Sequence, residues 1–299
     1  MFLSKKSVTF AVSALAMLCS GAAFAKEAPQ AHKAVELSIL HINDHHSYLE
    51  PHEARINLNG QQTKVDIGGF SAVNGKLYEL RKKYKNPLVL HAGDAITGTL
   101  YFTLFGGSAD AAVMNAGNFH YFTLGNHEFD AGNEGLLKLL EPLKIPVLSA
   151  NVMPDKNSIL YNKWKPYDIF TVDGEKIAII GLDTVNKTVN SSSPGKDVKF
   201  YDEIATAQIR ANALKQQGIN KIILRSHAVS EKNIEIAQKV NDIDVIVTGD
   251  SHYLYGNDEL RGLKLPVIYE YPLEFKNPNG EPVFVMEGWA YSAVVGDLG

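Results

Sequence analysis

The chain has 299 residues, of which 45% are hydrophobic and 21% are charged. This composition excludes a disordered or fibrous protein, because such chains lack the apolar residues that offset the entropy lost on ordering. The formal net charge of −4 argues against binding to nucleic acid polymers, which basic clusters favour. The length is sufficient for one large domain or two small ones.

The first 25 residues have the pattern of a secretory signal peptide. Two lysines at 5–6 form a basic start, 8–18 is a short apolar run, and Ala-Phe-Ala at 23–25 is a small-x-small cleavage site. The apolar run is too short to span a bilayer. We therefore expect cleavage after residue 25 and export, followed by a mobile polar leader over residues 26–34.

The only cysteine, Cys19, lies inside this signal. The mature chain is therefore expected to contain neither a disulfide nor a thiolate nucleophile. A lipoprotein anchor at Cys19 is the alternative, but Leu18 is bulkier than the residue expected before a lipidated cysteine. No later segment is long and apolar enough for a membrane, so we expect no membrane association after cleavage.

Short runs rich in Val and Ile alternate with helical patterns along the mature chain. The runs, which we expect to be buried strands, are 35–41, 88–91, 120–124, 146–149, 177–181, 221–224, 245–247 and 265–269. Helical spacing covers 70–84 and 204–214, the latter with Asp202 as its N-cap and Gly218 beyond its end. This alternation predicts a layered α/β architecture.

Two stretches look like loops and hairpins instead, 156–174 and 270–285. The first ends in an Asp-Gly turn signal at 173–174 between two β-like segments. We find no internal repeat, no low-complexity tract and no obvious linker. The sequence therefore predicts one domain over residues 35–299.

Polar side chains suited to metal binding follow five of the predicted strands. They are Asp44 and His46, Asp94, Asn126 with His127, His227, and Asp250 with His252. In open α/β sheets, binding sites form beyond the carboxyl ends of strands, so these five ends suggest one shared site. Asp44 and His46 are two residues apart, which directs both side chains to the same side of an extended segment.

The chemistry of these side chains indicates a metal centre. Imidazoles and carboxylates without thiols suit zinc, manganese and similar cations. They are too many for one tetrahedral zinc and fit two ions bridged by a carboxylate, which lower the pKa of a shared water and clamp a phosphoryl group. Each motif alone could be a turn, a helix cap or a structural histidine, and only their joint occurrence favours the metal centre. We expect the other histidines, His32, His41, His45, His52, His91 and His120, to be structural or on the surface.

These motifs resemble the signature of calcineurin-like binuclear metallophosphatases. They read Asp44-x-His46, Gly93-Asp94, Gly125-Asn126-His127-Glu128, His227 and Gly249-x-x-His252. The longer segments 40–46, 68–70, 91–94 and 124–130 resemble, more narrowly, the secreted 5′-nucleotidase/UDP-sugar hydrolase family. The resemblance covers essentially the whole mature chain. It implies an α/β fold, a layered α-β-β-α sandwich of two mixed sheets flanked by helices.

The resemblance also implies a role for each site residue. Asp44, His46 and His252 would bind the first metal, Asp94 would bridge both metals, and Asn126 and His227 would bind the second. His127 would be catalytic, contacting the substrate phosphate and supporting the leaving oxygen, and Asp130 would orient its imidazole. Two divalent ions are implied, zinc first, with manganese, cobalt or magnesium as alternatives.

The implied activity is that of a periplasmic two-metal phosphohydrolase acting on nucleotides. It would hydrolyse NAD at the pyrophosphate to AMP and nicotinamide mononucleotide, and then remove a 5′-phosphate. A UDP-sugar hydrolase or a cyclic-nucleotide phosphodiesterase on the same centre is an open alternative, because the motifs act on phosphorus and ignore the base. A non-catalytic metal-binding remnant is the alternative of another class.

Three departures from the family pattern bear on these alternatives. Asp250 stands where the family commonly has a histidine for the second metal, so the site is expected to survive with altered charge and metal preference. Arg225 would repel nearby cations unless its side chain turns outward. Family enzymes continue into a C-terminal domain that binds the base, whereas this sequence stops near the end of the catalytic domain, so we expect a truncated chain with impaired activity.

Overall fold

A computed structural model describes residues 33–299, so the predicted signal peptide and the leader up to residue 32 lie outside the described residues. The strands are β1 (Ser38–Ile42), β2 (His52–Leu58), β3 (Gln61–Ile67), β4 (Pro87–His91), β5 (Tyr121–Thr123), β6 (Val147–Leu148), β7 (Val152–Pro154), β8 (Tyr167–Val172), β9 (Glu175–Asp183), β10 (Val198–Phe200), β11 (Ile222–His227), β12 (Val245–Thr248), β13 (Leu254–Tyr255), β14 (Val267–Tyr269), β15 (Leu273–Lys276), β16 (Pro282–Glu287) and β17 (Gly296–Leu298). The helices are α1 (Phe70–Lys83), α2 (Leu100–Phe105), α3 (Ser108–Ala116), α4 (Gly132–Leu140), α5 (Val185–Ser191), α6 (Glu203–Gln216), α7 (Ser230–Lys239) and α8 (Asp258–Gly262), and His127–Phe129 forms a 3-10 turn. Within residues 33–299, no helix has the length and apolar character needed to cross a membrane.

Most strands belong to two mixed sheets. The first has the order β17-β1-β4-β5-β6, in which β1, β4, β5 and β6 are parallel and β17 is an antiparallel edge. The second has the order β15-β16-β12-β11-β9-β8, with four parallel strands in its centre and an antiparallel strand at each edge. Parallel neighbours bring their carboxyl ends to the same edge of a sheet, which is where the predicted site residues lie.

Alternate residues of the central strands pack in different layers. Ile39 packs between the two sheets with Ile223, while the next residue along each strand, Leu40 or Leu224, packs against helices. Helices α1, α3 and α4 cover the outer face of the first sheet, and α6 and α7 cover that of the second. The predicted α-β-β-α sandwich is therefore confirmed.

The two predicted helices and the Asp-Gly hairpin have the expected local structure. α1 buries Phe70, Val73, Leu77 and Leu80 against the first sheet, following the helical spacing of the sequence. The side chain of Asp202 accepts a hydrogen bond from the backbone of Ala205 and caps α6. Strands β8 and β9 pair in antiparallel register around the turn at 173–174.

Two predictions for the C-terminal part differ from the structure. The run at 265–269 is not a buried strand of a main sheet: β14 pairs only with β13 and is half exposed. The stretch at 270–285 does contain a hairpin, but its second strand, β16, is an interior strand of the second sheet. The polar hairpin β2–β3 was not predicted, because its exposed faces give it little apolar patterning.

Candidate metal centre

The predicted ligands converge at the carboxyl ends of both main sheets. Three loops follow β1, β4 and β5 of the first sheet, His227 ends β11 of the second, and another loop follows β12. Five of the predicted ligands have a left-handed backbone, with φ between 48° and 71°, namely Asp44, His46, Asp94, Asp250 and His252. Such conformations are uncommon for residues other than glycine and cluster at functional sites.

The first group of ligands surrounds Asp44. Its Oδ1 lies 3.2 Å from His252 Nε2 and 3.8 Å from His46 Nε2. The two imidazole Nε2 atoms are themselves 3.1 Å apart, so both rings point at one place. These three residues can offer ligand atoms that all lie within 4.8 Å of one another, which fits one cation.

A second group shares the Asp44 carboxylate with the first and adds Asp94 and His227. Asp94 Oδ2 lies 3.0 Å from His227 Nε2 and 3.8 Å from His46 Nε2, and His227 Nε2 lies 3.9 Å from Asp44 Oδ1. Asp44, Asp94 and His227 again bring ligand atoms within 4.8 Å of one another. Asp94 therefore lies between the two groups, as a carboxylate that bridges two ions must.

Hydrogen bonds to the backbone direct two imidazoles towards the centre. His46 Nδ1 donates to the carbonyl oxygen of Thr97 at 2.9 Å, and His227 Nδ1 donates to that of Ala92 at 2.8 Å. Each bond leaves Nε2 as the ring nitrogen that faces the carboxylates. Fixing the far nitrogen in this way is what metal-binding histidines ordinarily require.

Each of the three residues predicted for the second metal alone has a buried side-chain atom without a hydrogen-bond partner, among twenty such atoms in the described chain. The three atoms are Asn126 Oδ1, His227 Nε2 and Asp250 Oδ2. Buried polar atoms are normally satisfied, and a bound ion is one explanation for those that are not, which applies where several converge with other ligand-type groups. Three electron-pair donors of this kind fit a divalent cation.

The charges of the site suit cations. Burial alone would raise the pKa of Asp94, but the charge and hydrogen bond of the His227 imidazole hold it well below its usual range. The pKa of Asp44 is lowered in the same way against burial, chiefly by His227 and His252. Burial lowers the pKa of His46 and keeps its imidazole neutral, as a ligand must be.

The predicted catalytic pair lies at the rim of the centre. His127 Nδ1 and Asp130 Oδ2 are 2.6 Å apart, and 38% of the His127 side chain is exposed. The hydrogen bond to Asp130, followed by the charge of Asp94, raises the pKa of His127 to about 9 against the effect of burial. At neutral pH, His127 therefore presents a protonated ring to solvent beside the ligands.

Glu128 is a site residue that the sequence analysis did not assign. Its buried carboxylate accepts hydrogen bonds from the backbone N–H groups of Gly125, Asp94 and Ala95, at 2.6, 3.0 and 2.8 Å. It thus joins the loop that carries Asp94 to the loop that carries Asn126. Burial and the charge of Asp94 raise the pKa of Glu128 to about 7, while the three donors favour its ionised form.

A buried chain of hydrogen bonds supports the first two ligand loops from below. Gly93 N–H donates to His91 Nδ1, His91 Nε2 donates to His45 Nδ1 at 2.7 Å, and His45 Nε2 donates to Asp110 Oδ1 at 3.0 Å. The structural role expected for His45 and His91 agrees with this arrangement. Asp110, on α3, had no recognisable signal in the sequence.

Arg225 does not turn outward, which the sequence analysis gave as the condition for avoiding repulsion of the metal ions. Its side chain is fully buried between the sheets, where it donates to the carbonyl oxygens of His91 and Phe122, both at 3.1 Å, and lies over the Tyr121 ring. It therefore joins the two sheets below the centre.

Asp250 does reach the centre: its Oδ1 lies 4.0 Å from His227 Nε2, and it forms an ion pair with Lys187.

Comparison with known proteins agrees with this architecture. The sequence model of calcineurin-like phosphoesterases matches residues 37–254, and the chain belongs to that family. The family predicted from the motifs is thereby confirmed. Membership implies divalent metal ions, for which the residues described above are candidate ligands.

Among individual proteins, the chain is similar to 5′-nucleotidases. The chain is 93% identical over 299 residues to the NAD 5′-nucleotidase of Haemophilus influenzae, covering all of this chain and 50% of that protein. It is 55% identical over 263 residues to a probable 5′-nucleotidase of Treponema pallidum, covering 88% and 44%. The solved structure of H. influenzae NAD nucleotidase matches 89% of this chain and 47% of its own, with a TM-score of 0.89 and 96% identity. The chain thus spans about half the length of the curated relatives it matches.

Proposed function

We propose that this chain is the catalytic domain of an exported, periplasmic two-metal phosphohydrolase that acts on nucleotides. The substrate of the parent enzyme would be NAD. NAD would be hydrolysed at the pyrophosphate to AMP and nicotinamide mononucleotide, and a 5′-phosphate would then be removed. The 93% identity to an NAD 5′-nucleotidase supports this substrate. The observation that carries the proposal is the set of three unpartnered buried ligand atoms beside two carboxylates shared between imidazoles.

The ligands are assigned to two positions. Asp44, His46 and His252 would hold the first ion, Asp94 would bridge, and Asn126, His227 and Asp250 would hold the second. Divalent cations there would supply Lewis-acid stabilisation of the negative charge that develops on phosphoryl oxygens. Zinc and manganese both suit this mixture of imidazole and carboxylate ligands.

The remaining chemistry belongs to His127 and Asp130. A protonated His127 at the rim opposes the charge on the phosphoryl group and supports the oxygen that leaves. Asp130 holds Nδ1, which fixes the ring plane and leaves Nε2 to face the substrate. Because this pair follows the strand end that supplies Asn126, one loop positions both a metal ligand and the cationic group.

The test combines metal counting with product analysis. The purified mature chain is depleted of metal, resupplied with Zn²⁺ or Mn²⁺, and assayed on NAD, AMP, UDP-glucose, 2′,3′-cyclic AMP and a chromogenic phosphate ester. We expect two bound ions, metal-dependent turnover, and AMP with nicotinamide mononucleotide from NAD. Turnover of UDP-glucose or the cyclic nucleotide in preference to NAD would favour the alternative enzymes.

Two negative outcomes have different meanings. Two bound ions without turnover of any substrate would contradict the hydrolase and keep the metal centre. Fewer than two bound ions would favour a metal-binding remnant. Export is tested separately, by fractionating cells that express the whole chain and sequencing the mature N-terminus, which we expect to begin at Lys26.

A further inference from the structure

Lys187 brings a positive charge to the centre from a strand end that carries none of the predicted motifs. Strand β9 lies beside β11, with Asp183 opposite His227 in the parallel register. Helix α5 begins directly after β9 and is fixed to it by the Thr188 hydroxyl, which donates to Asp183 Oδ2 at 2.8 Å. This helix places Lys187 Nζ 2.5 Å from Asp250 Oδ1 and 3.4 Å from the carbonyl oxygen of Asp250.

The two oxygens of Asp250 have different surroundings. Oδ1 accepts from Lys187, whereas Oδ2 is buried without a hydrogen-bond partner in the described chain. The carboxylate side chain is only 3% exposed, while Lys187 remains 42% exposed. The ion pair therefore joins a buried anion of the centre to a cation that still contacts solvent.

The other two carboxylates of the centre are held in the same way but by neutral groups. Asp44 Oδ2 accepts from the Asn43 amide, both Asp44 oxygens accept from Asp250 N–H, and Asp94 Oδ1 accepts from His127 N–H. In both cases the second oxygen faces the imidazoles. Among the three, only Asp250 has an oxygen bound by a lysine ammonium group, and this oxygen, Oδ1, is the one that lies 4.0 Å from His227 Nε2.

We infer that Lys187 is a charge-balancing residue of the second metal position: it occupies the Asp250 oxygen that lies towards His227, leaves only Oδ2 free to coordinate, and cancels the charge of the carboxylate. This inference rests on the proposed two-metal function. An aspartate paired with lysine then contributes to the site as a neutral one-atom donor. The ammonium group also repels the incoming cation. Lys187 therefore lowers the metal affinity of the second position.

The alternative is that Lys187 has a purely structural role and only anchors α5. Exposed ion pairs contribute little to stability, and a purely structural lysine would, if removed, loosen Asp250 and weaken metal binding. The two readings therefore predict changes of opposite sign. The sign of the change in metal affinity decides between them without reference to activity.

The experiment measures Mn²⁺ binding to metal-depleted protein by calorimetry, with free Mn²⁺ counted by electron paramagnetic resonance. In Lys187→Met, we expect the dissociation constant of the second ion to fall at least tenfold, because the ammonium is lost and both oxygens of Asp250 become available. Lys187→Arg keeps the charge and should stay within threefold of the wild type. The matched control is Lys199→Met, which removes a lysine from an exposed ion pair with Asp155 on another part of the surface.

A second background tests whether Asp250 mediates the effect. In Asp250→Asn, the lysine loses its tether, and Lys187→Met should change the dissociation constant by less than threefold. Unchanged or weaker binding in Lys187→Met, or an equal gain in the Asp250→Asn background, would overturn the inference. If the wild type binds one ion, a second ion in Lys187→Met supports the inference, and one ion in both overturns it. Two ions bound equally well by both proteins would refute the role of Lys187 and leave the proposed hydrolase standing.

Discussion

Glu128 offers the sharpest test of how the chain preforms its metal centre. One carboxylate oxygen accepts from Asp94 N–H and Gly125 N–H, and the other accepts from Ala95 N–H. The side chain is fully buried, so no water can replace an acceptor that is lost. Glu128→Gln changes one oxygen to an amide NH₂ and leaves the shape of the side chain almost unchanged.

In its best orientation, the glutamine places its oxygen where it accepts from both Asp94 N–H and Gly125 N–H. The NH₂ group then faces Ala95 N–H, which is left without an acceptor at 2.8 Å. Losing a hydrogen bond to a charged group costs about 1.5–3 kcal/mol, and an unsatisfied buried donor costs about 1–3 kcal/mol. Removing a buried charge offsets part of this cost. We expect the free energy of unfolding of the metal-free protein to fall by about 2–4 kcal/mol.

The assay is urea unfolding of metal-free protein, together with a count of bound metal. Glu203→Gln is the matched control, because Glu203 is also buried but accepts only from Val185 N–H at 2.8 Å, a bond that an amide oxygen can keep. We expect it to change the free energy of unfolding by less than about 1 kcal/mol. Glu128→Gln with wild-type stability and wild-type metal affinity would refute the idea that Glu128 joins the two ligand loops.

Three further changes probe the catalytic pair, the tightness of the ligand loops and the buried histidine outside the centre. Asp130→Asn should lower turnover about 10–100-fold with two metals still bound, because the neutral amide no longer favours a protonated His127. Gly125→Ala should weaken metal binding at least tenfold, since its Cβ would overlap Asp94 Oδ1 and lie 2.7 Å from a His227 ring carbon, whereas Gly75→Ala on α1 meets nothing within 4 Å and should bind metal normally. Burial lowers the pKa of His41 from 6.5 to about 4, so its contribution is complete above pH 6.5 and is lost as the pH falls towards 4, up to about 3 kcal/mol. Unfolding measured across this range should show a smaller acid loss in His41→Gln, and equal losses in both proteins would contradict the assignment.

The sequence predicted those parts of the molecule that depend on local patterns. Strand ends followed by Asp, Asn and His identified the ligand loops, because parallel strands necessarily bring such loops to one edge. Lys187 and Asp110 could not be found in this way, since each lies on a helix and contacts a residue of the ligand loops that is distant in sequence, Asp250 and His45 respectively. Strand β16 was placed among loops because its neighbour β12 precedes it by more than thirty residues, and only their pairing reveals it as interior.

Arg225 shows why a charge near the centre could not be judged from its position alone. The sequence suggested repulsion of the metals, since the residue precedes His227 by two positions on the same strand. Residues two apart face the same side of a strand, so the outcome depended on what the opposite sheet presents there. It presents the carbonyl oxygens of His91 and Phe122, which the guanidinium binds, and the side chain is held below the ligands.

The pattern of bonds around the carboxylates indicates that the chain builds its centre before any cation arrives. Asp44, Asp94 and Asp250 all accept hydrogen bonds within the chain; Asp44 and Asp94 also direct an oxygen at the imidazoles, and Asp250 Oδ2 is left unpartnered. Holding three anions in this way costs desolvation and left-handed backbone, which a fold designed only for stability would avoid. Lys187 offsets this cost for Asp250, and positive charge supplied from outside would offset it for Asp44 and Asp94. We therefore expect removal of divalent ions by a chelator to lower the melting temperature of the protein and their return to restore it, and a melting temperature insensitive to metal would mean that the imidazoles alone balance the carboxylates.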